Sequence, residues 1–506
     1  MTNVLIYIVD ALRADHLSSY GYVRPTTPNF DALAAEPSAV RFSAACSPST
    51  WTKPVAASIL SGCYPPAHGV RSRSDLFIRA VPRLPELLQS AGFRTAAVST
   101  IGNVSSPMGF AIGFDTFVDL YKEPSLVSRR EVSNTGAWKL YFEEDTTVVL
   151  PLAEDVNAAA LPWLAAQTAG QSNGNGVKPA APTRPWFLFL WVLDPHDPYY
   201  PPPGYDRWRD PAYTGKIDGS AESVRRVRTP ADVQRLVDLY DGEIAYTDVQ
   251  FGLLVQQLKA QGQYDDTLIV VAGDHGEAFG EHGDFVHGHL AYEEIMRVPL
   301  IVKFPAGYEV QADSTSALAQ LTDIAPTVLD ALGLGQLAEG MQGVSLLPAA
   351  RSGDQPRALV YSETQASTAN QRLLALRDDR WKYLRVDPPG DYSGRATGTG
   401  GSGTGKRLAG YLQQLSNPEM MKRVLRNPMF YVRRQRVDRD MLFDLQADPG
   451  EQRNVAAENP QVVRQMAAAL DEWLDECSSF AALSDTIGQA GLDEATLRQL
   501  EGLGYL

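Results

Sequence analysis

The chain has 506 residues, 44% of them hydrophobic and 21% charged, and a formal net charge of -15. That is enough chain for two domains around a large core, with a composition ordinary for a globular protein. The acidic balance argues against nucleic acid and anionic membrane surfaces as partners, and an anionic substrate would need local positive charge or a metal.

Three cysteines, Cys46, Cys63 and Cys477, do not make a disulfide framework and suit a reducing compartment. The opening MTNVLIYIVDALRAD has no charged leader region and no cleavage site, and no stretch reaches the length of a membrane span. A cytoplasmic enzyme with no membrane partner is therefore expected.

In chain order, Val4–Val9 reads as a buried parallel strand, with Asp10 directly after it. An acid there can point into the crevice at the carboxyl ends of the strands; a helix-capping Asp is the competing reading. Thr52 precedes Lys53-Pro54, and Pro suits the first turn of a helix, which puts Thr52 at or just before a helix N-terminus. Backbone N–H groups there favour an anion, and a hydroxyl becomes a nucleophile if something lowers its pKa. A capping threonine is the alternative. The pattern then predicts a helix over 82–92, a strand over 95–98 and a loop Ser99–Asn103. Residues 124–185 read as a long insertion holding a helical piece, Ala153–Ala166, and a Gly/Ser/Asn/Pro-rich linker over 168–183.

Trp186–Leu193 is a strongly apolar strand that ends in Asp194-Pro-His196-Asp-Pro. A long amphipathic helix follows over 231–261. Next comes the strand Thr267–Ala272, and at its end the densest polar stretch of the chain. Four of the seven histidines, His275, His282, His287 and His289, lie there with Asp274, Glu277, Glu281 and Asp284. Carboxylate and imidazole side by side at a strand end make a divalent-metal half-site; a solvated polar loop is the bland reading, weakened by how scarce histidine is elsewhere. A strand over 298–303 and a helix opened by 323–330 complete an alternation that predicts a doubly wound, mainly parallel sheet flanked by helices. Composition changes near residue 360. The Gly/Ser/Thr-rich run 390–405, strand-like pieces at 380–386 and 441–445, and a terminal helix over 460–477 suggest a catalytic domain over 1–360 and a smaller C-terminal α+β subdomain over 361–506. No internal repeat is found.

These pieces together resemble the sulfatase family within the alkaline phosphatase superfamily. The resemblance rests on VDALRADHLSSYGY at 9–22, TKPVAASILSGCYPPAHGV at 52–70, DPHDPYYPP at 194–202, GDHGE at 273–277, HGHLAYEEIMRVPLIV at 287–302 and TDIAPTVLDALG at 322–333, with terminal stretches RDDRWKYLRV, LFDLQADPGEQRNV and LEGLGYL. It implies an alkaline-phosphatase-like α/β fold. It also implies that Asp10, Asp274 and His275 are metal ligands.

In family sulfatases a Cys-x-Pro-Ser-Arg motif carries the cysteine that becomes formylglycine, ten residues before a Thr-Gly. Counting ten back from Gly62 reaches Thr52, with Pro54 at the motif's proline. Cys46 lies sixteen residues before Gly62 and its stretch lacks the arginine, so no formylglycine is expected. Ala11 replaces a second Asp of many sulfatases, Ala56 stands where the motif Arg would be, and Ser99–Asn103 occupies the place of a Gly-Lys-Trp-His loop. Asp-His at 274–275 resembles phosphonate monoester hydrolases, phosphoethanolamine transferases and nucleotide pyrophosphatases, several of which use Thr as nucleophile. In the transferase pattern, histidines matching His196 and His287 belong to the site.

The resemblance thus implies a threonine nucleophile, Thr52, that also serves as a metal ligand. His196 and His287 are a general acid/base or oxygen-binding pair, or help hold a second metal. The metal, Lys53, Asn103 and the helix N-terminus are the candidate positive partners of the substrate oxygens, and a solvated lysine at a helix start is the equally open reading of Lys53. His289 is the next candidate, with a structural role equally open. His16 and His68 read as structural, and His282 as exposed. Mixed O/N donors suit Mn²⁺ or Zn²⁺ better than Ca²⁺. The expected substrate is a small anionic ester, and a homo-oligomer stays open. Three functions follow: a phosphoester hydrolase acting on a monoester, diester or phosphonate; a sulfate-ester hydrolase using Thr52; or a binding protein on a retired sulfatase scaffold.

Overall fold

The computed structural model describes residues 2–123, 131–133, 147–168, 184–288, 290–311, 314–366, 371–387 and 440–482. The predicted run 390–405, nearly all of the 168–183 linker and His289 lie outside them. In chain order the strands are β1 Asn3–Val9, β2 Ala39–Cys46, β3 Arg94–Ser99, β4 Thr116–Asp119, β5 Glu131–Ser133, β6 Thr147–Val149, β7 Trp186–Val192, β8 Thr267–Gly273, β9 Ala278–Phe279, β10 Phe285–Val286, β11 Leu300–Lys303, β12 Ser314–Gln320, β13 Val360–Ala366, β14 Gln371–Arg377, β15 Trp381–Asp387 and β16 Asp440–Asp444.

Eight of them form one sheet in the order β12-β2-β11-β8-β1-β7-β3-β4. β1 pairs in parallel with β7 on one side and β8 on the other. Apart from Asn3 and Thr267 at their starts, these three strands are continuous apolar runs because both faces of a central parallel sheet are covered. Alternation along β1 divides the core. Val4, Ile6 and Ile8 face one cluster, and Leu5, Tyr7 and Val9 face the other. Helices Thr52–Ser61, Leu84–Ser90 and Ile324–Ala331 close the first face. Pro28–Ala34, Ala153–Thr168 and Pro230–Ala260 close the second.

The sheet is mainly parallel, as the pattern predicts, with one exception: β11 runs antiparallel to both β8 and β2. The chain leaving β8 turns back over the carboxyl edge and returns directly beside it, so no crossover helix intervenes. Strands β2 and β12 have no counterpart in the sequence reading. Arg41, Ser43 and the serines and threonine of β12 interrupt their apolar pattern, and tertiary pairing decides their conformation instead. The 31-residue helix Pro230–Ala260 starts on a capping box of Thr229 and Asp232, with proline at its first position.

The second sheet is antiparallel, β13-β14-β15-β16. Helix Pro460–Ala482 packs on one side, placing Met466, Leu470 and Trp473 against Leu374, Leu376 and Tyr383. The other side faces the segment after β8: Ala278, Ile295 and Met296 meet Leu373, Leu384 and Phe443. Buried ion pairs reinforce this contact. Glu293 bonds Arg377 at 2.5 Å and Lys382 at 3.0 Å, and Lys382 also reaches Glu451.

On the opposite side of the main sheet, the Phe251 ring lies 5.2 Å from Tyr7 and 4.9 Å from Phe30. Phe251 is fully buried. Phe251→Ala should therefore cost about 3–5 kcal/mol in urea unfolding. A loss below about 1 kcal/mol would show that the cluster collapses around the gap.

Candidate metal and ester site

The site lies at the carboxyl edge of the main sheet, where parallel strands put their ligands. Val9 and Gly273 are register partners, so Asp10 and Asp274 leave β1 and β8 side by side. Both are fully buried. Neither caps a helix: the turn after Asp10 leads only to a short 3₁₀ segment, Ala14–His16, whose cap is Arg13. Ala11 sits in the left-handed region, φ 57°, and its N–H donates to Asp274 Oδ1 at 2.9 Å. His275 N–H donates to the same oxygen at 2.7 Å. The Trp191 indole, at the end of β7, donates to Asp10 Oδ2 at 3.0 Å. Each acid thus has one oxygen fixed and the other turned inward. His275 Nδ1 lies 2.9 Å from its neighbour's carbonyl, Gly276 O, which leaves Nε2 to the acids, 3.3 Å from Asp274 Oδ2 and 3.6 Å from Asp10 Oδ1.

Thr52 is the first residue of a ten-residue helix, and its cap is Trp51, which makes no side-chain capping bond. The capping role weighed for Thr52 is therefore not what its hydroxyl does. Thr52 Oγ1 lies 3.5 Å from both Asp10 Oδ1 and His275 Nε2. The sequence expectations Asp10, Thr52, Asp274 and His275 meet at one point.

A second group stands beside it. His196, Asp197 and His287 also bring three ligand-type atoms within 4.8 Å of one another. The rings of His196 and His287 are 4.7 Å apart, and that of His287 is 4.3 Å from His275. His196 Nδ1 is 2.6 Å from Asp197 O, and His287 Nδ1 is 3.0 Å from Glu277 Oε1. Asn103 lies in the loop after β3, at the same edge. It is 1% exposed, and its amide nitrogen has no hydrogen-bond partner among the described residues.

Three residues singled out in the sequence have other surroundings. Lys53 is wholly buried, but its ammonium is committed to the carbonyls of Arg73 and Asp75 and to Met108 Sδ, and it is not gathered with Thr52. His282, expected to be exposed, is instead half-buried, stacked on Tyr292 at 3.6 Å and bonded to Glu294 at 2.7 Å. The polar window it sits in hides the packing of the second sheet against it. Cys46 ends β2, buried beside Leu318, Val360 and Arg377, and burial raises its thiol pKa. His16 Nδ1 lies 2.6 Å from Asp241 Oδ1, and His68 lies 3.0 Å from Ser58 Oγ and accepts from Val70 N–H.

Sequence reading missed three residues that hold the site. Trp191 looks like any core aromatic of an apolar strand. Asp197 is visible only as the second acid of Asp-Pro-His-Asp-Pro. Glu277 stands in the polar window without a role, although it comes just before β9 and His287 just after β10, so their hairpin sets the two opposite each other.

Electrostatics separate the groups. Burial raises Asp10 to about 6, against the pull of His196 and the Trp191 N–H. Burial and then Asp10 push Asp274 well above the carboxylate range. Burial, helped by His287, pushes His275 far down, and burial and His196 lower His287 to about 3. Burial also opposes charge on His196, but Asp197, Asp10 and Glu277 outweigh it and raise its pKa. Two buried acids that resist ionisation beside a neutral imidazole are the surroundings a dication would convert into ligands. Asp274 Oδ2 has no hydrogen-bond partner among the described residues. The 3.3–3.6 Å separations of the inward atoms match the edge of about 3.4 Å expected when four donors surround an ion at about 2.1 Å. The residues fit a divalent metal.

The protein-family model "Sulfatase" matches residues 2–334. The chain belongs to the sulfatase family, within the alkaline phosphatase superfamily, a family of ester hydrolases. It is 25% identical over 398 residues to an N-acetylglucosamine-6-O-sulfatase of Bacteroides thetaiotaomicron, covering 68% of this chain and 70% of that protein. It is 28% identical over 268 residues to an arylsulfatase K of Gallus gallus, of whose length the match spans 40%, against 51% of this chain. Among solved structures, one in complex with its substrate D-glucosamine-2-N,6-O-disulfate superposes with a TM-score of 0.65 at 19% identity, over 94% of this chain and 98% of the other. A phosphonate monoester hydrolase from Silicibacter pomeroyi superposes at 0.63 and 23% identity, over 94% and 95%. These likenesses show the fold.

Asp274→Asn should lower bound divalent metal at least tenfold, measured by elemental analysis after gel filtration, because it removes the charge of an inward oxygen and keeps the size. Unchanged metal content would move the ion elsewhere.

Proposed function

We propose that the chain is a metal-dependent hydrolase of phosphoesters, whether monoester, diester or phosphonate, acting through a covalent phospho-Thr52 intermediate. The observation that carries this reading is Thr52 itself. A plain hydroxyl sits at a helix N-terminus, equidistant at 3.5 Å from Asp10 and His275. Asp10, Asp274, His275 and Thr52 would hold the ion, and the mixed O/N set suits Mn²⁺ or Zn²⁺. Bound there, a dication supplies a lowered pKa for the Thr52 hydroxyl and positive charge for the phosphoryl oxygens.

The chain's own groups do the rest. Thr52 Oγ attacks phosphorus in line, and the alcohol leaves. Backbone N–H groups at the start of the helix and the unpartnered Asn103 amide are donors for equatorial oxygens. His196 and His287 handle the protons of the leaving alcohol and the entering water. Lys53 takes no chemical step in this scheme, since its ammonium is held by carbonyls. The substrate is a small anionic ester.

The second reading is sulfate-ester hydrolysis, favoured by the names of relatives such as the N-acetylglucosamine-6-O-sulfatase. Against it stands the chemistry of the intermediate. A formylglycine hydrate expels sulfate from a geminal diol without water attacking sulfur. A threonine ester lacks that route and must be hydrolysed at the central atom. A retired binding protein is disfavoured by the four gathered groups.

With matched nitrophenyl leaving groups, kcat/KM for a phosphoester or phosphonate should exceed that for the sulfate; the reverse order would establish the sulfatase reading. Thr52→Ala should abolish turnover, by at least 10³-fold, while Asp10, Asp274 and His275 still retain part of the metal. Cys46→Ala should keep turnover, and peptide mass mapping should find Cys46 unmodified. Formylglycine at Cys46 would overturn the assignment of the nucleophile.

A further inference from the structure

Glu277 takes part in none of these steps, yet it is fully buried at the heart of the site. Its Oε2 accepts the Tyr199 hydroxyl at 2.9 Å, and its Oε1 lies 3.0 Å from His287 Nδ1. Tyr199 is buried too, its ring edge-on to Tyr240 at 6.0 Å and tilted on Phe279 at 6.2 Å. The carboxylate is thus held at both oxygens. Turning it away would strand a buried hydroxyl.

The backbone adds a second constraint. Val286, immediately before His287, has φ 62°. A β-branched residue enters the left-handed region only where its surroundings over-determine it. The β9–β10 pairing, Val286 with Ala278, supplies that hold and keeps Glu277 and His287 facing each other. With Glu277 Oε1 as the acceptor of this contact, the ring proton is on Nδ1 and the lone pair on Nε2.

We propose that Glu277 is a positioning residue which, anchored by Tyr199, fixes His287 with its Nε2 lone pair toward the phosphoryl site, so that His287 takes the proton of the water that cleaves phospho-Thr52. This rests on the reading of Thr52 as nucleophile. In an in-line double displacement the alcohol leaves and the water enters through the same apical position, so a proton donor and a proton acceptor are needed at one place. The adjacent rings of His196 and His287 meet that need.

In the first step Thr52, which enters the cycle as its alkoxide, bonds to phosphorus through Oγ, the bond to the alcohol oxygen breaks, and His196 protonates the leaving alkoxide. In the second, the water oxygen bonds to phosphorus and its proton passes to His287 Nε2. The pair of the phosphorus–Oγ bond returns to Thr52. The proton then moves from His287 to His196, 4.7 Å away between ring centres, and the starting state is restored. The sum is ester plus water giving alcohol plus phosphate or phosphonate.

Glu277→Gln keeps the volume, but with Tyr199 donating to the amide oxygen it turns an N–H toward Nδ1 and spoils the tautomer. A nitrophenyl phosphoester serves as the probe. Turnover should fall roughly 10²–10⁴-fold, by analogy with loss of the orienting acid in a catalytic triad. The fall should sit in kcat, with a burst of about one nitrophenol per chain and phosphate on the Thr52 peptide by mass spectrometry. A merely structural role would slow both steps and leave no burst. Tyr199→Phe should show the same signature more weakly, and it carries the test alone if Glu277→Gln does not fold. Near wild-type turnover, or a slow enzyme without burst or phospho-Thr52, overturns the role of Glu277. Full turnover in Thr52→Ala instead overturns the nucleophile, so the two failures are told apart.

Discussion

Two carboxylates buried next to each other are the constraint on which the site depends. Asp10 and Asp274 follow register partners on adjacent central strands, and the sheet leaves them no room to separate. Like charges in a low-dielectric interior repel strongly unless a cation or hydrogen bonds offset them. Much of the surrounding structure answers that problem. Trp191 crosses from β7 to hold one oxygen of Asp10. The left-handed turn at Ala11 brings an N–H to Asp274. The Tyr240 hydroxyl, from the long helix, fastens that turn by donating to Ala11 O and accepting from Arg13 N–H. The helix on one face of the sheet and the strand beside β1 therefore both set the positions of the inward oxygens.

Around this centre the protein separates what must be charged from what must be neutral. His196, next to Asp197, is held toward its charged form, while His275 and His287 are held toward neutrality by burial. A pair of neighbouring imidazoles with opposite tendencies suits a reaction in which one proton is given and another is received.

Most of the architecture was legible because the central strands are continuous apolar runs with polar chemistry placed just past their ends. Asp10, His196, Asp274 and His275 follow directly from that pattern, and Thr52 from its distance to Gly62. What was illegible has a physical reason in each case. β2 and β12 are strands by pairing, with side chains too small or polar to show a period. Trp191 earns its role through one N–H at the end of a ring that the core would bury anyway. Glu277 matters only because β9 and β10 fold back on each other, a two-residue pairing that no periodicity announces. Lys53 is the converse case: a cation next to Thr52 in sequence points elsewhere, since successive helical residues diverge by about 100° around the axis.

The contact between the second sheet and the segment after β8 has a consequence for how the chain can be divided. The family match ends at residue 334, before β13 begins. A fragment cut there would keep every residue gathered around Thr52. It would also leave Glu293 without Arg377 and Lys382, and the apolar side chains of Ala278, Ile295 and Met296 bare to water. That surface belongs to the same loop that carries Glu277 and His287. The stretch that gathers the site and the unit that folds are thus different lengths: joining the core to another partner would succeed only where the newcomer brings two buried cations and an apolar face to the same spot. A ribosome, likewise, finishes the chemistry long before it finishes its support.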